Sequence, residues 1–106
     1  MNMITNHMPT AELQRLDAAH HFHPFTDRAG LAAKGARVIT RGEGVWLTDS
    51  EGNRIIDGMA GLWCVNAGHG RREITEAVAT QIATMDYAPP FQMGHPLAFE
   101  LANTLV

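Results

Sequence analysis

The sequence predicts an α/β chain: a short helix, an antiparallel β-meander, a glycine-rich loop, a long amphipathic helix and the opening of a second one. Three observations carry this. Between residues 37 and 57, short β-rich runs alternate with glycine-bearing turns. Over residues 71–85, Ile74, Ala77, Val78, Ile82 and Met85 recur at spacings of three and four, the stripe of an amphipathic helix. After Pro96, a residue suited to a first helical turn, Leu97, Ala98, Leu101, Ala102 and Leu105 repeat the same spacing.

Taken in order, residues 1–9 are polar, Met-rich and aperiodic, which reads as a flexible N-terminus. Residues 10–36 read as a helix followed by a loop. Thr10 is suited to cap a helix over 11–19, with Glu12 in the first turn where the dipole favours an acid, and Leu13 and Leu16 on one face. Pro24 ends that helix near His20-His21-Phe22-His23, because the residue before a proline is pushed out of helical space. Lys34 falls in the loop before the first strand.

The meander spans 37–58, with strands expected at 37–40, 45–48 and 53–57, separated by Gly42-Glu43-Gly44 and by Asp49-Ser50-Glu51-Gly52. The second turn suits a tight hairpin with Gly52 at positive φ, and Val45, Leu47, Ile55 and Ile56 are expected to form one partly buried face. Three short strands have little core of their own, so a partner outside the chain is expected. Residues 59–95 form the glycine-rich loop, the long helix and an aromatic loop; 96–106 read as the truncated first helix of a large domain. The helical phase still runs at Val106 with no closing glycine, basic turn or proline, so a longer protein is expected.

The 106 residues are 45% apolar and 18% charged, an ordinary globular balance. A net charge of −3, with eight basic residues scattered from Arg15 to Arg72, leaves no electrostatic footprint for nucleic acid or anionic membrane. The start MNMITNHMPT lacks the basic and apolar regions of a signal peptide, and no apolar run approaches the ~20 residues of a membrane span, so the cytoplasm is the expected location. Cys64, the single cysteine, lies in Leu62-Trp63-Cys64-Val65 and reads as a small buried thiol.

The chemical inventory is thin. There is no Walker-type loop, no paired cysteine spacing and no G-x-G-x-x-G between a strand and a helix. The densest polar cluster is His20, His21 and His23. Imidazoles at a helix end are expected to point apart, with no acid or cysteine at ligand spacing nearby, so a solvated helix C-terminus is expected and no metal site.

Residues 37–72 hold a more specific pattern. Gly44, Leu47, Asp49, Gly52 and Asp57 follow G-x-x-L-x-D-x-x-G-x-x-x-x-D, then come Gly61-Leu62-Trp63 and Gly68-His69. This order closely resembles the N-terminal region of class III aminotransferases. The segments His23-Pro24-Phe25-Thr26 and Asp86 to Pro96 resemble those of omega-amino acid and beta-alanine:pyruvate enzymes in particular, and the likeness runs over about residues 11–106.

The resemblance implies the N-terminal segment of a fold-type I transferase dependent on pyridoxal 5′-phosphate. It implies a homodimer or tetramer with active sites at the dimer interface. The reaction would move an amino group from an amine or omega-amino acid to pyruvate or a similar 2-oxo acid. It also implies that Phe25, Leu62 and Trp63 wall the substrate pocket and that Phe91, or else Tyr87, reaches the neighbouring subunit's site. Read from residue type alone, a Trp in a glycine-rich apolar loop is more often core than pocket. The lysine that carries the cofactor, the serine-bearing phosphate loop and the aspartate facing the pyridine nitrogen are expected beyond position 106. Lys34 matches no Schiff-base motif, so no catalytic or cofactor-binding residue is expected in this chain. A reading of a different class takes the chain as a non-catalytic folding or dimerisation module.

Overall fold

Helix α1 (Thr10–His20) begins one residue earlier than the sequence suggests, with Pro9 and not Thr10 at its N-cap. Pro9 sits at φ −59 and ψ 146, and its carbonyl accepts from the N–H of Glu12 at 3.0 Å and of Leu13 at 3.1 Å. The pyrrolidine ring presets the boundary, which frees the Thr10 hydroxyl from capping. Thr10 instead donates to Ser50 Oγ at 2.8 Å, tying the helix start to the second turn of the meander. The helix stops where Pro24 requires, with His21 already extended. The computed structural model describes residues 8–106, so of the flexible terminus expected at 1–9, residues 1–7 lie outside the described residues, while Pro9 belongs to the start of α1.

A second helix, α2 (Arg28–Lys34), occupies what reads as loop in the sequence. Asp27 caps it by accepting from Ala29 N at 3.1 Å, and Gly35, at φ +78, closes it by donating to the Leu31 carbonyl at 2.8 Å. Lys34 therefore ends a helix. Gln14 Nε2 donates to Ala36 O at 2.9 Å, linking α1 to the chain beyond α2.

Strands β1 (Ile39–Glu43), β2 (Trp46–Asp49) and β3 (Arg54–Ile56) form the expected antiparallel meander in the order β1-β2-β3. The first strand lies later than expected and takes in Gly42 and Glu43. Glu43 pairs with Trp46, so the hairpin closes on Gly44 and Val45 alone, and an irregularity between Ile39 and Arg41 absorbs the offset. Leu47 faces Ile55 across the β2–β3 pair and both are half-buried, while Val45 and Ile56 are exposed. The four-residue apolar face expected from the sequence thus reduces to two, because neighbours such as Ile55 and Ile56 point to opposite sides of a strand.

Asp49 is the only buried residue among those described. Its carboxylate accepts from the backbone N–H of Glu51 at 3.0 Å and of Asn53 at 2.8 Å, and from Asn53 Nδ2 at 3.1 Å. Burial alone would raise its pKa, but these donors, with Arg37 at 3.7 Å, outweigh it and hold the carboxyl below its ordinary value. Gly52 takes φ +86, so the Asp49–Gly52 turn forms as the sequence indicates.

The chain divides into two compact units, one ending at Arg71 and one beginning at Arg72. The second unit holds α4 (Arg72–Thr84) and α5 (Pro96–Thr104), numbered after the single turn α3 (Ala60–Trp63) that closes the first. His95 caps α5, its Nδ1 accepting from Leu97 N at 3.0 Å while its Nε2 lies 3.1 Å from the Gln81 amide. The helix ends at Thr104, short of the apolar phase that runs through the last residues. No apolar residue among those described is buried: Ile74, Val78 and Ile82 on α4 and Leu97 and Leu101 on α5 are all about half exposed or more.

Candidate functional site

The glycine-rich segment folds into one turn of left-handed helix. Ala60, Gly61, Leu62 and Trp63 have φ of 49°, 60°, 58° and 71°, and Gly61 and Leu62 have ψ of 32° and 61°. Trp63 N donates to Met59 O at 3.1 Å and Cys64 N to Ala60 O at 2.9 Å, so the turn carries helical hydrogen bonds of inverted hand. Glycine adopts this region freely, but three of the four residues are not glycine. At roughly 1–2 kcal/mol each, the strain is on the order of 3–6 kcal/mol.

Asp57 and His69 hold the turn in place. Asp57 Oδ2 accepts from Gly61 N at 2.8 Å and lies 2.7 Å from His69 Nε2, and its backbone N–H donates to Val45 O at 2.8 Å. The hydrogen bond from His69, more than the Gly61 N–H, holds the Asp57 carboxyl below its ordinary pKa, against the pull of burial. His69 is pinned in turn by an antiparallel bridge to Gly44, with N–H···O distances of 2.9 and 2.8 Å. Its ring lies against Gly42, where a Cβ would come within 2.8 Å of the imidazole. In the sequence Asp57 and His69 stand out only as parts of a motif, because a separation of 12 positions conceals the pairing.

The turn presents its side chains outward. Trp63 is 83% exposed and Leu62 58%, so within this chain neither is covered. Phe25, in the first unit, is fully exposed at φ +51; Phe91, in the second, is 80% exposed and precedes Gln92 at φ +60. Five non-glycine residues among those described have positive φ: Phe25, Ala60, Leu62, Trp63 and Gln92. Three of these are residues the sequence singles out, and the other two adjoin the same segments. Backbone strain of this kind concentrates at functional sites. The structure joins Leu62 and Trp63 in one turn of the first unit, and within that unit no ring stacks on Trp63 among the described residues. Tyr87 is also exposed, and nothing in the geometry sets it apart from Phe91.

Two expectations are corrected here. Cys64 is exposed, its Sγ 3.4 Å from the Leu62 carbonyl, because the inverted turn carries the apolar run outward with no layer over it. The imidazoles at the end of α1 do not point apart. Asp17, one turn before His21, brings its Oδ1 to 2.9 Å from His21 Nδ1 and 2.7 Å from His23 Nε2, and those two nitrogens are 3.2 Å apart. The bond to His23 is the main reason the Asp17 carboxyl titrates below its ordinary value. The acid escapes a search of the His-rich run itself because it reaches that run only through the helical repeat of i, i+4.

Lys34, the sole lysine, stands on the surface at the end of the seven-residue α2. No helix among the described residues is long and apolar enough to cross a membrane.

The family profile of class-III aminotransferases matches residues 31–106. The chain is 48% identical over 106 residues to the putrescine–pyruvate aminotransferase of Pseudomonas aeruginosa, with 99% of this chain and 23% of that protein aligned. It is 44% identical to the beta-alanine–pyruvate aminotransferase of the same organism, over 99% of this chain and 23% of the relative. Among solved structures, an (S)-enantioselective omega-transaminase from Thermomicrobium roseum superposes with a TM-score of 0.86 at 49% identity, covering 90% of this chain and 22% of that one. The chain thus spans less than a quarter of the length of the relatives it matches.

Proposed function

Since the chain belongs to the class-III aminotransferases, a fold-type I family dependent on pyridoxal phosphate, we propose that it supplies substrate-pocket walls to an enzyme moving an amino group from an amine or omega-amino acid to pyruvate or a similar 2-oxo acid. The observation that carries this reading is the strained, outward-facing turn at Ala60–Trp63. A strained turn that carries an indole on its exposed face is suited to place an apolar wall against a ligand. The cofactor supplies the electron sink of transamination. The residues here orient the apolar body of the substrate and exclude water, and no proton transfer falls to them.

On this reading Phe25, Leu62 and Trp63 bound the pocket and Phe91 reaches the site of a second subunit, within a homodimer or tetramer of the cytoplasm. The chain by itself is inactive on this reading, because its single lysine, Lys34, matches no Schiff-base motif. The test is made in the full-length enzyme. With putrescine or beta-alanine as donor, pyruvate should be converted to alanine. Replacing Trp63 by alanine should shift kcat/KM toward bulky aryl ketones over pyruvate by the ~1–3 kcal/mol typical of apolar pocket changes. Loss of turnover for every acceptor, with folding and cofactor content intact, would make Trp63 catalytic and refute the assignment.

A further inference from the structure

We propose that Asp17, His21 and His23 form a three-ligand site for a borderline divalent cation, zinc above all, at the C-terminal end of α1. The ligand set is of the right kind: imidazole nitrogen and carboxylate oxygen are the atoms zinc prefers after thiolate. The geometry is close to what coordination requires. The three atoms stand 2.7, 2.9 and 3.2 Å from one another. Ligands ~2.0–2.1 Å from a tetrahedral zinc are about 3.3 Å apart, so the triangle must open by at most about 0.6 Å.

The arrangement without metal is also poorly suited to hydrogen bonding alone. If both imidazoles donate to Asp17 Oδ1, two N–H groups confront each other at 3.2 Å. A cation at the centre removes that conflict: each neutral ring keeps its proton on the other nitrogen and offers a lone pair inward. The helix holds Asp17 and His21 one turn apart, and Pro24 fixes the extended exit that brings His23 back. Asp17 is mostly buried, His23 about one-third exposed and His21 largely exposed, so the fourth position opens to water. Arg28 borders the same hollow with its guanidinium over the Phe22 ring.

The site lies within seven consecutive residues. It is tested in the full-length enzyme by titrating zinc in competition with a chromophoric chelator, with the added metal counted per subunit. One equivalent should bind, and Asp17→Asn and His23→Ala should each weaken it at least ~10-fold, in line with the loss seen when metal sites are disturbed. His20→Ala, which removes an imidazole outside the cluster, should leave the affinity unchanged. Absence of one-to-one binding would overturn the proposal. So would a site indifferent to Asp17→Asn, or one that His20→Ala weakens as much as His23→Ala, which is the signature of a flexible His-rich segment.

Discussion

Separated from the surfaces its apolar faces require, the chain should not unfold as a cooperative monomer. Ile74, Val78 and Ile82 on α4 and Leu97 and Leu101 on α5 are each about half exposed or more. At about 1.5–3 kcal/mol for burying such a side chain fully, covering the exposed halves of these five is worth roughly 4–8 kcal/mol. That is comparable with the ~5–15 kcal/mol net stability of a whole domain. The isolated chain should therefore self-associate, bind an apolar dye and lose ellipticity over a broad range of urea or temperature. Sedimentation velocity and calorimetry provide the assay. A monodisperse monomer with one sharp transition, calorimetric and van't Hoff enthalpies in agreement, would refute the reasoning.

Three further outcomes follow from the site. In the folded enzyme, Ala60→Gly should raise stability by about 0.5–1 kcal/mol by relieving a positive φ. Gly61→Ala should lower it, since the new Cβ would meet Val65 Cγ2 at 2.8 Å; thermal midpoints moving in the same direction would contradict the inverted turn. Protection of the Gly61 amide should depend on Asp57: its folded pKa is depressed, so the contribution is present above the ordinary value of 3.8 and lost as pH falls through the lower folded value. Hydrogen exchange in Asp57→Asn should lose that pH dependence. Borohydride reduction of the chain with pyridoxal phosphate should leave Lys34 no more labelled than a surface lysine, as read by mass spectrometry; stoichiometric labelling with turnover would overturn the inactivity of the chain.

Much of the architecture is legible in the sequence because its signals are local. The stripe Ile74, Val78, Ile82 has the period of a helix whatever surrounds it, and Gly52 marks its own turn. What was obscured depends on distance or on brevity. Helix α2 has both a capping Asp27 and a closing Gly35, yet seven residues with an internal glycine give no period to read. The Asp57–His69 pair and the convergence of Asp17 on His23 are products of folding, invisible until the backbone brings the atoms together. Trp63 was readable as a residue of interest, but its exposure was not, since an apolar run announces burial unless the backbone turns with the opposite hand.

That opposite hand has a stereochemical consequence. At Ala60 the backbone asks for the mirror image of what an L-residue prefers. A D-alanine introduced there by chemical synthesis would meet no clash between its Cβ and the following carbonyl, the contact that penalises the natural enantiomer. Position 60 is thus a place where inverting one stereocentre should strengthen the chain, whereas the same inversion one turn into α4 would break it.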